Sequence, residues 1–262
     1  MIKLACAGDN CIDYYGATGE KYPGGNPVNV AVYARRLGGA ASYIGAVGTD
    51  ENGKLLLNAL EGKGVDVSRV HIVEGATALT HVAIVNGDRV FGDYHEGVME
   101  GFALTQEDIT FIEKHDMLVS GLWGRVEGEL KRISERGVPI AFDCSDRPES
   151  PQALVALAAA DIAFFSDDIS DDAALRARIR AIAAQGPRVV VATRGARGSL
   201  AYDGAGFTEQ GIIDCTVVDT MGAGDSFLAG FLCAYLRGGS TKGCLLAGAQ
   251  SSAVTLGYRG AW

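Results

Sequence analysis

The segment Val217-Val218-Asp219-Thr220-Met221-Gly222-Ala223-Gly224-Asp225-Ser226-Phe227 concentrates residue types suited to phosphate chemistry. Its valines predict a buried strand that ends at Asp219. Three small residues then precede an amphipathic helix that begins near Asp225, with Phe227, Phe231 and Leu232 available to the core. With little side-chain bulk at Gly222, Ala223 and Gly224, successive backbone N–H groups can converge on one point, backed by the positive end of the helix dipole. Such an anion hole suits charge developing on a phosphoryl group in transfer. Asp225, in the first turn, is then placed to accept a proton from an attacking hydroxyl. A helix cap is the alternative use of a lone Asp, but Asp219 and Thr220 could cap equally well. The helix terminus should keep the Asp225 carboxylate ionised at neutral pH, and a weak base suffices when proton transfer comes late in a loose phosphoryl transfer.

Other glycine-rich stretches do not offer this chemistry. Gly48-Thr49-Asp50-Glu51-Asn52-Gly53-Lys54-Leu55 has phosphate-loop spacing up to its lysine, then places Leu55 where a hydroxyl must meet magnesium. Two acids inside that loop would also face the phosphates. After the first strand Gly8 stands alone, so the dinucleotide fingerprint is missing and a nicotinamide-linked reductase is disfavoured.

The elements that must hold the motif alternate along the chain. Short apolar runs near residues 2–7, 43–47, 117–120, 138–142, 162–165 and 189–193 predict strands, with helices between them. Asn26-Pro27 supplies a helix start with Asn26 as cap, Gly38-Gly39 a stop, and Thr105-Gln106-Glu107-Asp108 a capping box. Buried, valine-rich strands alternating with helices argue for an α/β fold with a mostly parallel sheet covered on both faces. Residues 80–98, with Asn86-Gly87 as hairpin turn chemistry, and the polar stretch 13–21 break the alternation. They predict a small β appendage over a cleft.

Composition sets outer bounds. The 36 glycines among 262 residues suit many tight turns and close backbone approach to a ligand. A net charge of −9, with no basic run, argues against nucleic acid as partner. No C-x-x-C pair occurs among the six cysteines, and four sit in apolar surroundings, which fits a reduced cytoplasm. An acid at Asp9 comes too early for a signal peptide, and no apolar run approaches the ~20 residues of a membrane span. The four histidines lack metal-ligand spacing and are expected at the surface.

Asp219-Thr-Met-Gly-Ala-Gly-Asp225 resembles the D-T-x-G-A-G-D motif of the ribokinase/PfkB carbohydrate kinases, and Gly24-Gly25-Asn26-Pro27-Val28-Asn29-Val30-Ala31 resembles that family's sugar-side motif. The resemblance implies one ribokinase-like domain over residues 1–262, a three-layer αβα sandwich whose β lid spans about 12–22 and 79–98. It implies transfer of the γ-phosphoryl of Mg-ATP to a sugar hydroxyl, with Asp225 as base and Gly222, Ala223 and Gly224 as anion hole. Asp13, Gly25 and Asn29 would meet the sugar; Thr193, Gly195 and Thr220 would meet ATP, with Arg194 and Arg197 as further phosphate-side candidates. Further stretches, among them Glu96-Gly97-Val98-Met99 and Gly260-Ala261-Trp262, are similar to members that phosphorylate fructosamines at the 6-hydroxyl. Asp9, Asp93 and Glu96 would then meet ammonium groups and Trp123 would either wall the linker or lie in the core. The alternatives are another ketose or a nucleoside as acceptor, or a sugar-binding regulator without catalysis.

The family's N-x-x-E element is absent: the chain reads Ser166-Asp167-Asp168-Ile169 there. Asp167 or Asp168 could hold magnesium-bound water, but no metal residue is assigned. The family also implies a K+ site, to which Asp219 could contribute, and a homodimer formed through the lid.

Overall fold

Strands apolar on both faces need a helix layer on each side, and alternate residues of every central strand here enter opposite cores. In β1 (Lys3–Ala7), Leu4 and Cys6 enter one core while Ala5 and Ala7 enter the other. The computed structural model describes residues 1–85 and 88–262. After β1 come β2 (Cys11–Tyr15), β3 (Glu20–Gly24), α1 (Asn26–Arg36), β4 (Ala40–Ile44), β5 (Ala46–Gly48), α2 (Glu51–Gly62), β6 (His71–Val73), β7 (Leu79–Val85) and β8 (Asp88–His95). The second part runs through α3 (Gln106–Ile112), β9 (Met117–Gly121), α4 (Glu127–Ser134), β10 (Ile140–Asp143), α5 (Pro151–Leu157), β11 (Ile162–Ser166), α6 (Asp172–Ala183) and β12 (Val189–Thr193). Two further strands, β13 (Ser199–Tyr202) and β14 (Phe207–Gln210), precede α7 (Ala223–Leu236) and α8 (Thr241–Leu256).

Eight strands form the main sheet in the order β14-β13-β12-β11-β10-β9-β1-β4. The six from β12 to β4 run parallel; β13 and β14 extend the edge antiparallel. Helices α1, α2, α7 and α8 cover one face, and α3 to α6 the other. This is the three-layer αβα sandwich expected from the sequence, with a mixed edge. Loops leaving the carboxyl ends of β1, β9, β10 and β11 therefore gather at one rim, where open parallel sheets place their ligand sites.

The appendage is a second sheet, β3-β2-β7-β8. Its β2–β3 and β7–β8 pairs are antiparallel, while β2 and β7 join in parallel. The proposed turn residues Asn86 and Gly87 lie outside the described residues. The capping box forms as read: Thr105 accepts from the Asp108 N–H, and Asp108 accepts from the Thr105 N–H. Cys6, Cys144, Cys233 and Cys244 are buried, and all six cysteines are free thiols.

Two local expectations are corrected. Gly25, not Asn26, caps α1, so Asn26 becomes the first helical residue and its side chain is released for other work. Val217 and Val218 form no strand and are 59% and 52% exposed. The sheet edge is already closed by β14, and this segment instead meets the C-terminal end of α8, with the Val218 N–H donating to Leu256 O at 2.7 Å.

Candidate active site

Helix α7 starts from Gly222, whose φ of 70° is left-handed. A Cβ there would lie 2.4 Å from Tyr33 Oη, so both the turn and the crowding require glycine. The first intrahelical bond runs from Ser226 N–H to Gly222 O at 2.8 Å, and the Ala223 N–H turns back to Thr220 O at 3.3 Å. The Gly224 and Asp225 amides precede that first bond and have no intrahelical acceptor. A Cβ on Gly224 would meet nothing within 4 Å, and Ala223 and Gly224 line an open cavity. The positive end of the α7 dipole reinforces these amides toward an anion.

Asp225 is clasped from α1. Asn26 and Asn29, three residues apart, share one helix face. Asn26 Nδ2 donates to Asp225 Oδ1 at 2.7 Å and Asn29 Nδ2 donates to Oδ2 at 2.7 Å. Trp262 Nε1 donates to Asn29 Oδ1 at 2.8 Å. Since an indole N–H can only donate, this contact fixes which end of the Asn29 amide faces Asp225. Asn26 Nδ2 also donates to Asp143 Oδ2 at 2.8 Å, bringing the end of β10 into the same cluster.

Burial pushes the Asp225 carboxyl up to about 6, against the opposing pull of the two asparagine donors. Asp143 is pushed up to about 7 by burial and then by the charge of Asp225. Asp9 is raised to about 6 by burial, although the Asn26 N–H donates to its Oδ2 at 3.2 Å. Asp225 thus remains mostly ionised at neutral pH, as expected, but desolvation rather than the helix end dominates its proton affinity.

Beside the α7 N-terminus lies a cavity of about 790 Å³, a size suited to a nucleotide. Thr193, Gly195, Thr220, Ala223 and Gly224 line it, together with Ser166, Asp146 and Asp168. Ile213, Phe227, Ala249, Ala253 and Leu256 give it an apolar side fit for a base. The two arginine candidates are engaged elsewhere: Arg194 is buried and donates to Asp172 at 3.4 Å, and Arg197 donates to Ser170 O at 2.9 Å. Where the N-x-x-E element is absent, Asp167 pairs with Arg178 at 2.9 Å and Ile169 is fully solvent-facing, leaving Ser166 and Asp168 toward the cavity. Asp219 accepts from the Met221 N–H at 2.9 Å and the Gly260 N–H at 2.8 Å, bracing the loop before α7.

On the other side of Asp225, Gly25 adopts φ 110°, and a Cβ would lie 2.6 Å from Asn10 Cα. Asn29 and Asp13 are buried, and Cys11 Sγ donates to Asp13 Oδ1 at 3.4 Å. The remaining candidates divide. Asp9 is buried with its Oδ1 sealed from solvent and holds the start of α1. Asp93 is exposed on β8, and Glu96 pairs with Arg125. Trp123 is 52% exposed, so it is not a core residue. His71 does not stand free at the surface but pairs with the buried Asp108 at 2.9 Å. Among the described residues no three His, Cys, Asp or Glu side chains form a metal cluster, and no helix is long and apolar enough to cross a membrane.

Sequence reasoning placed Asn26 only as a cap and missed Asp143 and Trp262 as neighbours of the base. The Asn26/Asn29 spacing was the available signal. Asp143 carried no signal and Trp262 entered only through the terminal Gly260-Ala261-Trp262 stretch, because their proximity to Asp225 depends on sheet order and on the path of the chain after α8.

The family description "pfkB family carbohydrate kinase" matches residues 1–262. The chain is 43% identical over 262 residues to the fructoselysine 6-kinases of Shigella flexneri and Escherichia coli (strain K12), covering 100% of each chain. It is 34% identical over 265 residues to a fructosamine kinase of Bacillus subtilis, covering 100% of this chain and 93% of that one. In fold, it matches an Arabidopsis thaliana ribokinase complexed with ribose and ATP (TM-score 0.89, 21% identity, 99% of this chain and 93% of that one). A Xylella fastidiosa fructokinase with bound ATP gives a TM-score of 0.83 at 22% identity, with 99% and 93% coverage. An aspartate clasped beside open helix amides, on a sheet of this order, and full-length similarity to sugar kinases lead to one assignment: the chain belongs to the pfkB family of carbohydrate kinases.

Proposed function

We propose that this kinase transfers the γ-phosphoryl of ATP to the 6-hydroxyl of a fructosamine, with fructoselysine, a fructose joined through its C1 amine to lysine, as the acceptor. Full-length identity of 43% to two fructoselysine 6-kinases supports the acceptor. The observation that carries the mechanism is Asp225, held by Asn26 and Asn29 beside the open amides of Gly224 and Asp225.

The acceptor hydroxyl gives its proton to Asp225 as its oxygen bonds to the γ-phosphorus, the bond to the bridging oxygen breaks, and ADP leaves. The amides at the α7 N-terminus take up charge on the phosphoryl in transfer. Asn26 and Asn29 hold the carboxylate in line and keep its oxygens from turning away. Gly25, Asn29 and Asp13 contact the sugar, while Thr193, Gly195 and Thr220 contact the nucleotide. Asp146 and Asp168, acids on the cavity wall, suit magnesium, which commonly binds through one or two carboxylates plus phosphate oxygens. When bound, it neutralises phosphate charge. Asp219 already serves as a loop brace, so no potassium is placed on it. The four-stranded β sheet acts as the lid.

ATP consumption is to be compared across fructoselysine, fructose, ribose and a nucleoside at fixed magnesium and potassium. The reading requires the highest kcat/KM for fructoselysine and a 6-phosphate product. A higher value for a nucleoside or a plain ketose contradicts it.

A further inference from the structure

Trp123 lies on the loop that follows β9, at the end of the sheet where the site is built. A Cβ on Gly121 would sit 2.9 Å from Asn26 Oδ1, and a Cβ on Gly8 would sit 2.6 Å from Gly124 Cα, so this loop rests directly on the acceptor side of the site. The neighbouring loop, after β10, carries Asp146, which lines the nucleotide cavity, and Arg147, whose guanidinium lies 5.3 Å from the centre of the Trp123 ring. Arg125 reaches from the first loop to Glu96 at the end of β8, tying the rim to the lid sheet.

Each loop contains strained backbone. Arg125 at φ 55° and Ser145 at φ 53° are the non-glycine residues with left-handed backbone among the described residues. Such conformations cost energy and persist where the surroundings impose them. Between them stands a half-exposed indole with a cation on its face. Nothing in the cores requires that arrangement, since Trp123 belongs to neither. Arg147 and Asp146 are both well exposed, and their 3.6 Å ion pair is of a kind worth little, so it leaves the guanidinium free to take another carboxylate.

We propose that this rim is a subsite for the amino-acid half of the ketosamine, an inference that rests on the fructosamine reading. Trp123 carries the aliphatic chain on its indole face and Arg147 takes the α-carboxylate, while Glu96 stays with Arg125 and braces the rim. The Arg147 cation matches the carboxylate of a head group that leaves the pocket past Trp123, while the sugar end remains at Asp225. Plain ketoses have nothing to place there, so the subsite discriminates acceptors by KM.

Three ketosamines test it: fructoselysine, its decarboxylated counterpart made from 1,5-diaminopentane, and 1-deoxy-1-methylaminofructose. Arg147→Gln should raise the KM ratio of fructoselysine to the decarboxylated compound about tenfold, the size of one lost charge-assisted contact. Trp123→Ala should raise the KM of both long-chain compounds relative to the methylamine about tenfold. If the parent enzyme turns over the ketosamines and Arg147→Gln leaves the first ratio within about twofold, the subsite is overturned and the acceptor reading stands. If the parent enzyme turns over none of the three, both fall together.

Discussion

Two groups of buried or half-buried carboxylates in this molecule face opposite electrostatic settings. Asp108 and Asp167 belong to the scaffold. Asp108 accepts from Arg69, from His71 and from the Thr105 N–H; Asp167 accepts from Arg178 and Ser170. Hydrogen bonds and cations outweigh their burial: Asp108 is held below the ordinary range and Asp167 at about 2. Asp9, Asp143 and Asp225, around Asn26, receive only neutral amide donors, and burial wins. The scaffold acids are satisfied, whereas the cleft acids are left with a raised affinity for protons. A fold that sought only stability would give the cleft its own arginine; without one, the base keeps a higher affinity for the hydroxyl proton.

Removing function and removing stability should therefore separate cleanly between the two groups. Asp225→Asn should lower kcat by at least ~100-fold, with ATP affinity nearly intact and thermal stability unchanged or raised. Steady-state kinetics and nucleotide titration check this; retained turnover would mean that another group takes the proton. Asp108→Ala should do the reverse. It strands Arg69 and His71 and breaks the capping box, costing about 3 kcal/mol in urea unfolding, with kcat of the folded fraction within about twofold.

Trp262→Phe sharpens the comparison, because it removes a neutral donor without touching a carboxylate. Loss of the indole N–H leaves the Asn29 oxygen unanchored, so the amide holds the Asp225 carboxylate less firmly. A fall in kcat of about fivefold, the worth of one hydrogen bond near 1 kcal/mol, should come with little change in KM. A merely structural role would instead reduce the folded fraction and leave kcat per folded molecule alone.

The smallest effect concerns stability against pH. A carboxyl raised on folding contributes stability that is complete below its unfolded value and lost as pH climbs through the folded value. The cleft acids, raised to about 6 and 7, should lower Tm as pH rises from 4 to 7. The lowered scaffold acids act in the other direction, with their contribution lost below pH 4. Asp225→Asn should flatten the fall between pH 4 and 7; an unchanged slope would mean that Asp225 titrates normally.

Local signals proved readable wherever neighbours in sequence are neighbours in space. The Thr105/Asp108 box, the glycine turn before α7 and the strand–helix alternation are of this kind. Thr193, Gly195 and Thr220 line one cavity. Contacts set by tertiary structure were not legible. Asn26 finds Asp143 only because β10 lies two strands from β1, and Trp262 finds Asn29 only through the return of the chain after α8. The valines at 217 and 218 misled for a related reason, since strand propensity cannot reveal that the sheet edge is already occupied. Asp9 and Glu96 read as free charges because a linear sequence hides Asn26 and Arg125.

The central claim is that an amide-clasped, desolvated Asp225 carboxylate accepts the hydroxyl proton. Its most direct test is kcat for fructoselysine between pH 5 and 8. The account predicts an acid limb with a midpoint near 6, where Asp225 loses its own proton and becomes able to take another. A flat profile over that range, or a midpoint near the ordinary carboxylate value of about 4, would contradict it.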